Sequence, residues 1–451
     1  MLGRVPYRYL VAAVFVVALF MDVLDATIVN VALPTLGREL RVGNDTLEWV
    51  VTGYLLSLAV FIPASGWIGD RFGTKRTFLF ALGVFLLGSA LCGLAWDPAS
   101  LIAFRILQGV GGGMLTPVGT AMVVRAFPPE ERARASALIG VPAVLAPVLG
   151  PLLGGWLIDT VGWRWIFFIN LPLGLAGALF AALVLREHVE RRPGRFDPAG
   201  FVTAGTGLAL VLYALSRVST EGWGSASVIG YGLAGLACVV VLVVLERRRL
   251  EPMLDLRLFE DALFSTTNVT HVLATAGLMG MLFLLPLYLQ QLRGLSAFES
   301  GLTSVPQALG LVCMIPLASV LFPRVGARPL VTFGMAGTTL TAALLVLVDG
   351  TTDLWWVRLI LFGRGLAFGL VLLPLQTAAF ASVSSAATGR ASALFNTGRH
   401  VAASLGVATL SSVLASSGGV LGFHAAFAVG AVLGLLGTLS AARLFSAGST
   451  A

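Results

Sequence analysis

Apolar runs of membrane-crossing length recur along the whole chain, broken by short stretches of charge, glycine or proline. A helix needs about 20 mostly apolar residues to span a bilayer. Inside hydrocarbon every backbone N–H and C=O must be paired, which only helices and closed barrels achieve. Runs this long suit the helical solution, so the chain is expected to be an all-α polytopic membrane protein. Fourteen candidate spans start near Leu10, Thr46, Thr77, Ser100, Arg132, Trp165, Ala199, Ser227, Phe264, Phe298, Pro329, Leu354, Ala387 and Leu421. The seventh is the weakest, because glycines interrupt it and Arg217 closes it. Only 11% of the residues are charged and 57% are hydrophobic, with mean hydropathy +0.93. A soluble chain carries about 25% charged residues, so most of this surface must face lipid.

The formal charge of +7 does not indicate nucleic-acid binding, because the basic residues are scattered singly between apolar runs. Lys75 is the one lysine among 29 basic residues. That arginine bias, with abundant alanine and glycine, suggests a GC-rich bacterial genome and hence a multi-pass protein of the bacterial inner (plasma) membrane. Cys92, Cys238 and Cys313 lie in apolar runs without paired spacing, so neither disulfide nor metal site is indicated. The first run is too long for a signal-peptide core and carries Asp22, Asp25 and Asn30, which marks a retained span. Cytoplasmic loops collect arginine and lysine. With both termini inside, twenty of the 29 basic residues fall on the cytoplasmic side. Five face the other side, and Arg105, Arg358, Arg364 and Arg399 lie within spans.

The chain also repeats itself. Arg-Ala-Ser-Ala-Leu occurs at 134–138 and 390–394, and Gly150 and Gly406 keep the same offset of 256. Arg71-Phe-Gly73 matches Arg324-Val-Gly326, and Pro117 matches Pro374. That offset equals about eight helix-and-loop units. The expected organisation is two parallel six-helix halves, residues 1–190 and 263–451, with a linker of two inserted helices over 191–262. A binding site would lie between the halves near the midplane.

Four segments carry more specific information. Gly66-x-x-x-Asp70-Arg71-x-Gly73-x-Lys75-Arg76 reads as a tight turn with cations at the membrane face. Arg105-Ile-Leu-Gln108-Gly109, followed by Gly111 to Gly113, places an arginine in mid-span. That costs roughly 2.5–3.5 kcal/mol unless the group faces a cavity or a partner. Ala146-Pro147-x-x-Gly150-Pro151-x-x-Gly154-Gly155 is a helix able to bend and pack closely. Leu24-Asp25-Ala26-Thr27-Ile28-Val29-Asn30-Val31-Ala32-Leu33-Pro34 puts a carboxylate in the first span. Trp163 to Pro172, Arg195 to Pro198 and Glu251 to Leu256 add further matches.

Together these segments resemble the major facilitator superfamily, in particular its fourteen-helix drug:proton antiporter branch. The resemblance implies the major facilitator fold and a cytoplasmic latch between halves formed by Asp70 and Arg71. It also implies a part in proton transfer for Arg105. The pattern around Pro147 is similar to the superfamily's antiporter motif and implies export. Thr74 departs from the basic residue usual there.

Asp22 and Asp25 are three residues apart, so both lie on one helix face. Burial favours a neutral carboxyl, whereas a nearby arginine favours the ionised one. A group so balanced can take and release protons. Asp25 is expected to couple protons to cargo with Asp22 assisting, and with Arg105, Gln108 and Asn30 around it. Tyr54, His271, Gln290, Gln307, Gln376 and Asn396 are candidate cavity-lining residues.

The expected activity is proton-driven export of small amphipathic or cationic compounds, as in multidrug or antibiotic efflux. It would run by alternating access, with the proton gradient in place of a cofactor. A proton-coupled symporter and a lipid translocase of the same fold are the alternatives. Partners are the cargo, protons and lipid, with the chain working as a monomer. No nucleophile triad, metal constellation or nucleotide-binding glycine loop with its lysine is present, which argues against an enzyme.

Overall fold

Helix starts follow local chemistry at the chain's polar breaks. In the computed structural model, which describes residues 6–42, 44–190, 197–248, 255–295, 297–384, 387–417 and 419–444, four aspartates cap helices. Asp97 accepts from the Ser100 amide at 2.7 Å, and the Ser100 hydroxyl receives the Asp97 amide in return. Asp197, Asp261 and Asp353 accept from Gly200, Phe264 and Trp355 at 2.7, 2.7 and 2.8 Å. Each satisfies an amide that the first helical turn leaves free. Asp197 is buried, so its replacement by alanine is expected to lower unfolding stability by about 0.5–2 kcal/mol. Thermal unfolding in detergent measures this; an unmoved midpoint would show that the cap contributes nothing.

The helices are α1 Tyr7–Leu40, α2 Asn44–Phe72, α3 Thr74–Gly93, α4 Pro98–Ala126, α5 Arg132–Thr160, α6 Trp165–Phe168, α7 Asn170–Val184, α8 Pro198–Glu221 and α9 Ala226–Arg248. Then follow α10 Ala262–Leu287, α11 Ala297–Val325, α12 Ala327–Val346, α13 Leu354–Ala379, α14 Thr388–Ser417 and α15 Gly419–Ala442. A π-helical turn, Tyr288–Leu292, continues α10. Among the described residues there is no strand. Among the described residues twelve helical stretches, α6 and α7 counting as one, are long and apolar enough to cross a membrane. Two others, α5 with 29 residues and α14 with 30, pack among them. Every one of the fourteen expected starts falls within three residues of a helix start, including the weak seventh, where α8 forms.

The internal repeat appears as repeated packing. α1 lies on α5, α2 and α3 on α4, and α3 on α7; later, α10 lies on α14, α11 and α12 on α13, and α12 on α15. The α2–α3 and α11–α12 turns use the same device, since Gly73 (φ 98°) and Gly326 (φ 83°) occupy the left-handed region. A side chain there would be strained, which explains why the two segments align in sequence. The α1–α7 and α10–α15 groups meet where α14 touches α2 and α4, and where α5 touches α11 and α13. α8 packs on α9 and also leans on both α2 and α14.

Candidate functional site

α1 runs unbroken past both of its acids. Asp25 is fully buried, and three donors fill its carboxylate. Arg105 Nη1 donates to Oδ2 at 2.6 Å, while Gln108 Nε2 and Asn170 Nδ2 donate to Oδ1 at 2.9 and 3.0 Å. The guanidinium also reaches Gln108 Oε1 at 2.7 Å and the Val50 carbonyl at 3.2 Å. Asn170 is held from behind by Ser89, whose hydroxyl donates to the Phe167 carbonyl. The result is a neutral, hydrogen-bonded knot joining α1, α2, α3, α4 and α7. Such a pair is costly to break, because a lone charge left in the interior has no solvent to relax into. Gly88 makes the knot reachable, since a Cβ there would lie 2.6 Å from Gln108 Cα.

Asp22, one turn earlier, takes the Tyr54 hydroxyl at 2.6 Å and the Thr116 hydroxyl at 3.3 Å. Tyr54 joins the two acids, because the Arg105 guanidinium stands 4.1 Å from the centre of its ring. Arg399 of α14 is near enough for its charge to act on Asp22. So the acids share a helix face but not an environment: Asp25 is locked inside the α1–α7 group, and Asp22 adjoins the other group. Asn170, Ser89 and Thr116 were not singled out as site residues from the sequence. An amide inside the apolar run Ile166–Gly174 was the available signal for Asn170.

At the end of the bundle that carries the α2–α3 turn, Asp70 pairs with Arg125 at 2.8 Å. That bond lies within the α1–α7 group. Arg71 is exposed and in this conformation bonds to none of the described residues, while the Asp70 carboxylate faces α14, its Oδ2 3.1 Å from where a Cβ on Gly389 would lie. Beside it the two groups also meet backbone to backbone, where a Cβ on Gly66 would lie 2.8 Å from the Gly389 carbonyl oxygen. Ser392 Oγ adds a bond to the Pro117 carbonyl at 2.8 Å. Beside Gly73, the amides of Lys75 and Arg76 donate to Glu187 at 3.0 and 3.2 Å, and Lys75 Nζ reaches the Ala182 carbonyl at 2.7 Å. Glu187 thus closes the free start of α3, where a carboxylate also opposes the helix dipole.

The chain matches the Major Facilitator Superfamily over residues 15–407. It belongs to that family. A "Multidrug resistance protein B homolog" of Mycobacterium tuberculosis is 36% identical over 409 residues, covering 89% of this chain and 75% of the relative. Two solved structures share the fold. The human organic anion transporter MFSD10 has a TM-score of 0.72 at 17% identity, covering 97% of this chain and 100% of that one. The proton:xylose symporter XylE has 0.69 at 15% identity, covering 96% and 94%. The protein is therefore a multi-pass major facilitator transporter and not an enzyme.

In this transporter the segment around Pro147 lies in α5. A Cβ on Gly150 would collide with Thr27 of α1, so glycine sets that approach, while Gly154 is buried and nothing crowds Gly155. The side chains of Asn30, Pro147 and Pro151 lie outside the described residues, as do Arg195 and Glu251 to Leu254 of the linker matches. Gln376 lines a small cavity between the groups with Thr120, Val124, Ile139 and Phe380. His271 stacks on Phe395 with ring centroids 4.0 Å apart. The Asn396 amide turns back onto its own helix at Ser392, and Gln307 is half-buried in α11. Gln290 is exposed in the π-helical turn that ends the span Ala262–Leu292.

Proposed function

We propose that this transporter is a proton-driven antiporter that exports small amphipathic compounds bearing a positive group, by alternating access. The observation that carries the reading is the linked pair of acids. Asp25 sits in a knot with Arg105 and Gln108, and Tyr54 connects it to Asp22 beside the other helix group. An acid at that contact can exchange a proton for a cationic group, and the knot behind it supplies a fixed charge balance. The relative named for multidrug resistance supports the cargo class. The pattern around Pro147, Gly150, Pro151, Gly154 and Gly155 supports export.

In the same reading the chain crosses the membrane fourteen times, with both termini in the cytoplasm of a bacterium. Residues 1–190 and 263–451 are the moving halves, and 191–262 is the linker. The fourteen long helices and the arginine-rich loops support this, and both α5 and α14 count as spans. The proton gradient is the energy source, no cofactor takes part, and the monomer is the working unit.

Asp22→Asn is expected to reduce transport driven by a pH gradient to background in proteoliposomes, with the protein still folded. A lumenal pH dye gives the direction of proton movement. Protons travelling with the cargo instead of against it would replace antiport by symport, and undiminished counterflow in the variant would remove Asp22 from the mechanism.

A further inference from the structure

Arg399 is an arginine in mid-helix that the mechanism above leaves unused. It follows Ser392 in α14 by seven residues, close to two helical turns, so both project from one face. Ser392 shows where that face looks, through its bond to Pro117 of α4. Thr116, the neighbour of Pro117, holds Asp22. Arg399 lies about two turns further along that face, near enough for the charge of Asp22 to act on it.

The two charges are not bonded to each other. Asp22 takes Tyr54 and Thr116, and Arg399 is half-buried without an ion pair or hydrogen bond among the described residues. No aspartate or glutamate occurs in α10, α12, α13, α14 or α15 that could neutralise it. Beside it lie His271, whose Nε2 is buried without a partner, and His400. The unpaired guanidinium is open to a ligand, and its planar fork matches a carboxylate or sulfonate.

A purely anionic cargo does not fit proton antiport. It would bind best when Asp22 carries a proton, and the two would then travel together. A purely cationic cargo would displace the proton but leave Arg399 repelling it. Resting on the antiport reading, we propose that the cargo is amphoteric. Its cationic group takes the proton's place on Asp22, and its carboxylate or sulfonate binds Arg399 beside His271.

The test uses purified full-length protein in proteoliposomes with rhodamine B, a zwitterion, and its ethyl ester, which differs by lacking the free carboxylate. Wild type should move rhodamine B about tenfold faster than the ester under a pH gradient, as one added ion contact would give. Arg399→Gln should lower that ratio about tenfold while leaving transport of the ester undiminished, which excludes misfolding as the cause. A wild-type ratio near one, or equal loss of both dyes in Arg399→Gln, overturns the proposal while proton counterflow remains intact. Protons entering with the dye would overturn the antiport reading instead.

Discussion

Asparagine at position 25 is expected to destabilise the transporter by about 3–5 kcal/mol. The substitution keeps the shape of Asp25 but leaves the fully buried Arg105 without its counter-charge. Gln108, Asn170 and Ser89 are then held around a carboxamide that offers Arg105 one neutral acceptor. The double variant Asp25→Asn/Arg105→Gln removes both charges, and much of the lost stability should return, because a neutral pair of similar volume has no solvation debt. Transport coupled to protons should stay absent in both variants. Thermal unfolding of the two single variants and the double one forms a cycle whose coupling term isolates the pair. Additive losses would mean that Asp25 and Arg105 do not stabilise one another.

Valine at Gly66 should act on the conformational equilibrium instead of the fold. Its Cβ would meet the Gly389 carbonyl oxygen at 2.8 Å and the Arg390 amide nitrogen at 3.3 Å, both backbone atoms that cannot swing aside. Overpacking of this kind costs about 1–3 kcal/mol. Because the strain exists only while α2 and α14 touch, it should disfavour closure of that end by about 5–150-fold. A cysteine at Ser392, which is completely buried in this conformation, would report it through maleimide labelling, with Cys92, Cys238 and Cys313 replaced. Labelling should accelerate in Gly66→Val and not in Gly83→Val, where nothing lies within 4 Å. Equal rates in the two variants would remove Gly66 from the gate.

Helix positions were legible because burial in lipid leaves a one-dimensional signal, run length, that needs no knowledge of neighbours. The Gly73 and Gly326 turns were legible for a similar reason: a left-handed backbone demands glycine locally. Arg105 was legible as a residue needing a partner, since an isolated mid-span cation is costly. What the sequence withheld was direction around the helix axis. Three residues of separation placed Asp22 and Asp25 on one face, yet a 60° difference sends one to Arg105 and the other towards α14. The partner of Arg71 was not legible either, because a motif names residues without fixing the conformation in which they meet.

α8 touches one helix from each group. Trp49 of α2 stacks on Tyr213 with ring centroids 5.6 Å apart, and Ala408 of α14 packs with Leu215 and Val218. On the opposite flank α5 meets α11 and α13, and among the described residues no further helix packs closely on both sides of that seam. A molecule dissolved among lipid tails therefore meets a shuttered window on one flank and an unshuttered one on the other. For any cargo drawn from the bilayer, the flank at α5 is the one that α8 leaves uncovered.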